Sequence, residues 1–320
     1  MDPSLKSKVL GLLYTGTSGG CFACASLFVK LCGDVPIPLI ILVRSLLQIF
    51  TCLVLNRVSW RQTLHPKGKL TMLFAFGILG FVTVYGVYLS FQTISLGEAT
   101  VIISTCPIFV AVMERMFLGV AVPVPTTVSG LVCSVGVILL THSGLAEGDT
   151  VRDGVYGVGF AVVTLGTVTQ AATFILVRQM EVHFVLPVFY LGLSNSALSV
   201  VIAGAQLTPQ FLQDTSPLQW AWMILVSAFA ITGSFTLNVG LQHEQAAMVA
   251  LIRNVDIVIA YVFDVLIFRH SFSALSLLGG GLVVIATIGS GLASLLHQAG
   301  NYKKVGSELS DEYSEPGLSA

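Results

Sequence analysis

The sequence predicts an all-α polytopic membrane protein, with about ten transmembrane helices arranged as two inverted five-helix repeats. Three observations predict it. Hydrophobic residues make up 55% of the 320 residues and charged residues only 10%, against about 25% charged in soluble domains, which is too little charge to cover a water-facing surface. The apolar residues gather into stretches close to the roughly 20 residues that cross a bilayer core about 30 Å thick. Short patterns also recur at a separation of about 150 residues, or five stretches.

Taken in order, residues 1–8 form a short N-terminus carrying Lys6 and Lys8. The first span, 9–31, exceeds the 7–15-residue core of a signal peptide and reads as a retained helix. Pro36 and Pro38 open the second span, 36–55. Arg57, Arg61, Pro66, Lys67 and Lys69 then break the apolar pattern before spans three (70–91) and four (96–118). Pro123 and Pro125 precede span five, 123–142, which closes a first repeat over 9–142. A connector at 143–153 leads to the second repeat, 154–296, with spans at 154–177, 184–205, 218–240, 245–268 and 273–296. Residues 297–320 are polar and read as a disordered tail. Lys and Arg fall mainly on one side of this arrangement, so both termini are expected in the cytoplasm. The protein is expected in the plasma membrane or in an endomembrane of the endoplasmic reticulum or Golgi, and a homodimer stays open as its oligomeric form.

The repeat rests on three matches. Gln92 with Ser95-Leu96-Gly97-Glu98 resembles Asn238 with Leu241-Gln242-His243-Glu244. Ser129-Gly130-Leu131-Val132 resembles Gly280-Gly281-Leu282-Val283. Phe28-Val29-Lys30 resembles Leu176-Val177-Arg178. Five is odd, so the second copy enters the membrane from the opposite face, an architecture that places a site near the midplane between the halves.

Ionisable residues inside spans are the candidates for chemistry, because each is costly in an apolar setting. Arg44 lies near the middle of span two. It reads either as an anion site or as the partner of a carboxylate such as Glu114 or Asp256. Arg253 and Asp256, three apart, share a helix face. They read either as a self-neutralising pair or as a cavity lining in which Arg253 holds an anion and Asp256 tunes it or exchanges a proton. Arginine suits carboxylates and phosphates because its planar fork donates two parallel hydrogen bonds. Glu98 and Glu244 begin matching spans, and read as helix caps or as gating groups. Glu114 and Arg115 are expected to reach the membrane interface. Tyr85, Tyr88 and Gln92 fall at helical spacing on span three, as cavity lining or as interhelical hydrogen bonders. The six cysteines, including Cys21-x-x-Cys24, and the glycines Gly19, Gly20, Gly279, Gly280 and Gly281 read as packing residues.

Some patterns are absent. No phosphate-binding glycine loop, Ser/His/Asp set or metal-spaced cluster occurs, so neither an enzyme nor an ATP-driven pump is indicated, and no cofactor or metal is expected. The net charge of −1 gives no sign of a nucleic-acid partner.

Several stretches carry a family pattern. They are Gln92-Thr93-Ile94-Ser95-Leu96-Gly97-Glu98-Ala99-Thr100 running to Pro107-Ile108-Phe109, then Leu241-Gln242-His243-Glu244, and Arg253-Asn254-Val255-Asp256. Arg44 and Gln48 fit it as well. Residues 9–296 thereby resemble the drug/metabolite transporter superfamily in its EamA-type ten-helix form, and more closely the G subgroup of solute carrier family 35. The chain departs from that pattern at Leu118-Gly119-Val120, Glu114 and Asp264. The resemblance implies a metabolite substrate, such as a carboxylate or a nucleotide sugar. It adds Gln48 and Asn254 to the substrate-binding candidates Arg44, Tyr85, Tyr88 and Arg253. The expected function is secondary transport of a small organic anion, with the lipid bilayer and a small molecule as partners. The rival is a non-transporting membrane protein that docks and regulates a partner. A cavity lined by Arg44 and Arg253 favours the first, and a collapsed apolar core the second.

Overall fold

The computed structural model describes residues 3–33, 35–55, 68–93, 105–119, 124–145, 153–180, 182–206 and 215–268, with isolated positions at 99, 102–103 and between 278 and 289. Both termini, the tail at 297–320, Glu98 and most of the tenth expected span lie outside the described residues. Every described element is helical. They are α1 (Pro3–Leu31), α2 (Ile37–Leu55), α3 (Leu70–Thr93), α4 (Cys106–Phe117), α5 (Val124–Leu145), α6 (Asp153–Met180), α7 (Val185–Gln206), α8 (Pro217–His243), α9 (Ala246–Arg253) and α10 (Val255–Phe268).

Six of them, α1, α2, α3, α6, α7 and α8, contain segments long and apolar enough to cross a membrane. Large apolar side chains face outward along the bundle, among them Phe50, Met116 and Val201. In water such exposure would be unfavourable, whereas lipid is as apolar as the side chains themselves.

Local chemistry sets the helix starts. At α8 the Ser216 hydroxyl accepts from the Gln219 N–H at 3.3 Å, and the Gln219 side chain accepts from the Ser216 N–H at 2.9 Å, while Pro217 opens the helix. This reciprocal cap satisfies two amides that a helix start leaves without partners.

Two expected spans are not single helices. Span four was expected over 96–118; of its first part the described positions 99, 102 and 103 are helical, Thr105 is a turn, and α4 begins at Cys106. Pro107 has no N–H to give and its ring clashes with a preceding turn, so a helix starts there readily and does not run through it. Span nine, expected as one helix over 245–268, is α9 followed by α10, with Asn254 between them. The Asn254 N–H bonds the Leu251 carbonyl at 3.1 Å, a tightened turn. Gly19 of α1 lies against this junction, and a Cβ on it would stand 3.3 Å from the Arg253 carbonyl.

The helices of one half pack mainly on those of the other. α1 runs antiparallel along α8, with Gly11 beside His243 at one end and Cys32 beside Gln219 at the other. α3 crosses α6 at Gly86, where a Cβ would stand 2.9 Å from the Val162 carbonyl, and the Thr83 and Thr169 hydroxyls meet at 2.9 Å. α2 lies on α7 through the hydroxyls of Ser45 and Ser196, 2.8 Å apart. α4 contacts α9. The bundle therefore has two ends, one marked by Lys30 and the start of α8, the other by Arg178 and the end of α8. One buried apolar cluster, with Leu73, Val110, Met180 and Leu241, occupies the Arg178 end. Another, with Cys32, Ile40, Ile41 and Met223, occupies the Lys30 end.

Candidate functional site

Between the halves lies a cavity of about 200 Å³, lined from α1, α2, α3, α6, α7, α8, α9 and α10. Its walls are mainly apolar, with Phe22, Phe76, Phe174 and Phe263 among them. Among the described residues, Lys30, Arg44, Arg253 and Asp256 bring ionisable groups into this setting.

Arg44 stands in the middle of α2 and is only 4% exposed. Its Nη1 donates to the Tyr88 hydroxyl on α3 at 3.1 Å, and its Nε has no acceptor among the described residues. Among the described residues no carboxylate pairs with it. Neither Glu114 nor Asp256, the partners the sequence suggested, neutralises it. A tyrosine hydroxyl carries no charge, so the guanidinium keeps its field in the cavity.

Arg253 closes α9, and its surroundings are different. Its Nη2 lies 3.6 Å from the Asp256 carboxylate, the local pair that was one of the two readings of the three-residue spacing. The Gln170 side chain, with its amide turned so that the oxygen faces the guanidinium, accepts from it as well. The guanidinium also lies over the Phe22 ring at 5.1 Å and the Phe174 ring at 5.9 Å from their centroids, where the ring quadrupoles favour a cation. Among the described residues Arg253 Nε has no acceptor.

The remaining sequence candidates fall at several places. Tyr88 and Asp256 line the cavity with the two arginines. Gln48 is fully buried away from the cavity lining, and its Nε2 donates to the Val188 carbonyl of α7. Tyr85 also lies outside the lining, its ring stacked on Phe81 at 5.6 Å. Asn254 is buried at the α9–α10 junction, where its Nδ2 points at Cys133 Sγ, 3.6 Å away. Glu244 is buried and its N–H ends α8 on the Gly240 carbonyl at 3.0 Å. The N-cap residue of α9 is Gln245, which makes no side-chain cap bond. A carboxylate at this helix start comes from Glu114, which is fully buried. Its carboxylate accepts from the N–H groups of Ala246 and Ala247 at 3.2 and 3.1 Å.

Sequence reasoning missed Gln170 and Thr173 of α6 in the lining, and used Lys30 only in a repeat match and the charge bias. A mid-span amide among apolar residues is a weak signal, since it costs far less to bury than a charge.

The profile of the EamA-like transporter family matches residues 9–142 and, again, residues 157–292. Solute carrier family 35 member G1 of mouse is 28% identical over 312 residues, covering 90% of this chain and 81% of that protein. Its human counterpart is 28% identical over 304 residues, covering 89% and 80%. The pseudopaline exporter CntI of Pseudomonas aeruginosa (strain UCBPP-PA14) is 24% identical over 219 residues, covering 68% of this chain and 73% of that protein. A solved crystal structure superposes with a TM-score of 0.74 at 14% identity, covering 92% of this chain and 98% of that one, a likeness of fold alone.

Proposed function

This chain belongs to the EamA-like transporter family of multi-pass membrane proteins, and from that premise we propose that it is a secondary transporter of a small organic anion. Two inverted five-helix halves would expose the cavity alternately to the two sides of the membrane. The single observation that carries the anionic reading is Arg44. A buried guanidinium that lines a cavity, with a neutral hydroxyl as its partner, is a costly arrangement unless a ligand supplies the opposite charge. The ligand's anionic group would sit on Arg44 and Tyr88, with Arg253 as a second, partly neutralised contact. Its remaining atoms would face the phenylalanine walls.

Cavity formation between the halves supports transport over a scaffold role, since a scaffold has no use for cationic groups at its centre. In this reading both termini are cytoplasmic, and Asp256 is the group best placed to couple transport to a second ion. The test is uptake of radiolabelled metabolites into proteoliposomes, with and without a pH gradient, screening anions against neutral and cationic solutes. Anions are expected to be taken up, and Arg44→Ala to abolish their uptake while leaving membrane insertion intact. Uptake restricted to cations, or Arg44→Ala uptake equal to the parent, would overturn the anionic reading.

A further inference from the structure

At the Arg178 end the two halves are tied together through a carboxylate that takes no part in the anion seat. Glu114 belongs to the first half, on α4. Its two oxygens accept from the first two N–H groups of α9, in the second half. These are donors that a helix start leaves without partners, at the positive end of the helix dipole. Gln245, the residue placed to cap them, makes no side-chain cap bond. The same carboxylate lies 3.7 Å from Arg178 Nε of α6, and Arg178 Nη1 donates to the Glu244 carbonyl. One carboxylate and one guanidinium thus hold the corner between α8 and α9. Val177 and Leu241, next to this corner in sequence, line the cavity, so the tie lies immediately beyond the cavity wall. α9 is eight residues long and ends on Arg253. The corner that Glu114 grips and the guanidinium in the cavity are therefore the two ends of one short rigid piece.

We infer that Glu114 is a positioning residue for transport, which keeps the Arg178 end of the cavity closed by capping α9 across the two halves, and whose bonds to α9 break when that end opens. This rests on the reading of the cavity as a transport path. It goes beyond that reading in naming the contact that separates the closed from the open form. A merely structural cap would stabilise the fold without favouring either form.

The test is side-specific alkylation of the full-length protein in proteoliposomes. A membrane-impermeant maleimide is added to one side or the other, and the labelled cysteine is identified by mass spectrometry. Val177→Cys reports the Arg178 end and Ser26→Cys, which also lines the cavity, reports the Lys30 end. Val177→Cys is expected to react slowly from the Arg178 side. Adding Glu114→Gln is expected to raise that rate about tenfold, in proportion to the population shifted by the lost charged cap, and to lower the rate of Ser26→Cys from the opposite side. Arg178→Gln, at a more exposed position, is expected to act in the same direction with a smaller change, and serves if Glu114→Gln does not fold. Combining Glu114→Arg with Arg178→Glu restores the opposite charges but sets donors against the α9 amides, so the rate is expected to stay high. A Val177→Cys rate unchanged in both single variants, already fast in the parent, or returned to the parent value by the charge exchange would overturn the inference. If Val177→Cys speeds up and Ser26→Cys does not slow, Glu114 closes that end as inferred, and it is alternating access that fails.

Discussion

Two arginines line one cavity, and they are not equivalent. Arg253 is surrounded by compensation: a carboxylate three residues on, an amide oxygen from α6 and two aromatic rings. Arg44 has a tyrosine hydroxyl. The difference teaches that burial alone does not identify a ligand-binding charge. The counter-charge of Arg253 is already present, whereas among the described residues Arg44 has none, and the proposed anion would supply it. Local sequence produced the first case, because Arg253 and Asp256 sit one helical turn apart. Only packing of α2 on α3 produced the second.

Substitutions can break or sharpen this contrast. The largest effect is expected from Arg44→Ala, which should weaken binding of a transported anion by about thirtyfold or more, the scale for removing one partner of a buried charge pair. Calorimetry on the purified protein should find a smaller loss for Arg253→Ala, and equal losses would abolish the distinction. Next comes Asp256→Asn, which removes the counter-charge of Arg253 and turns it into a second site of the Arg44 kind. Anion affinity is expected to rise by about tenfold, and a fall in affinity would mean that Asp256 itself contacts the ligand. Tyr88→Phe removes a single hydrogen bond from Arg44, and should change affinity about fivefold, the effect of roughly 1 kcal/mol. The smallest change, about threefold, is expected for Arg253→Lys. An ammonium can still pair with Asp256, but it lacks the planar face that lies over Phe22 and Phe174. An uptake assay in which Arg253→Lys is more damaging than Tyr88→Phe would place the anion on Arg253.

Much of the scaffold was legible because its cause is local. The apolar run lengths marked α1, α2, α3, α6, α7 and α8 closely, since each helix satisfies its own backbone and needs only apolar side chains to face lipid. The break at Pro107 had a visible cause that span length concealed. The break at Asn254 had no glycine or proline to announce it. It lies where the α1 backbone approaches at Gly19 and where Asn254 reaches Cys133 of α5. Arg44, Tyr88, Arg253 and Asp256 were legible as candidates because charge and hydroxyl groups in an apolar span demand an explanation. Tyr85 was named on the same grounds, and Gln48 and Asn254 on the family resemblance; all three make helix contacts outside the lining.

By itself, then, the sequence determined the class of solvent, the helices and the short list of buried polar groups, because each of these depends on the free energy of residues close together in the chain. Tertiary structure alone decided the partners that come from distant helices. It paired Arg44 with Tyr88 rather than with an acid, brought Gln170 to Arg253, and carried Glu114 to the start of a helix more than a hundred residues away. An unpaired charge or a helix start without a cap states what kind of partner it needs. Which residue meets that need is set by where packing brings distant helices together.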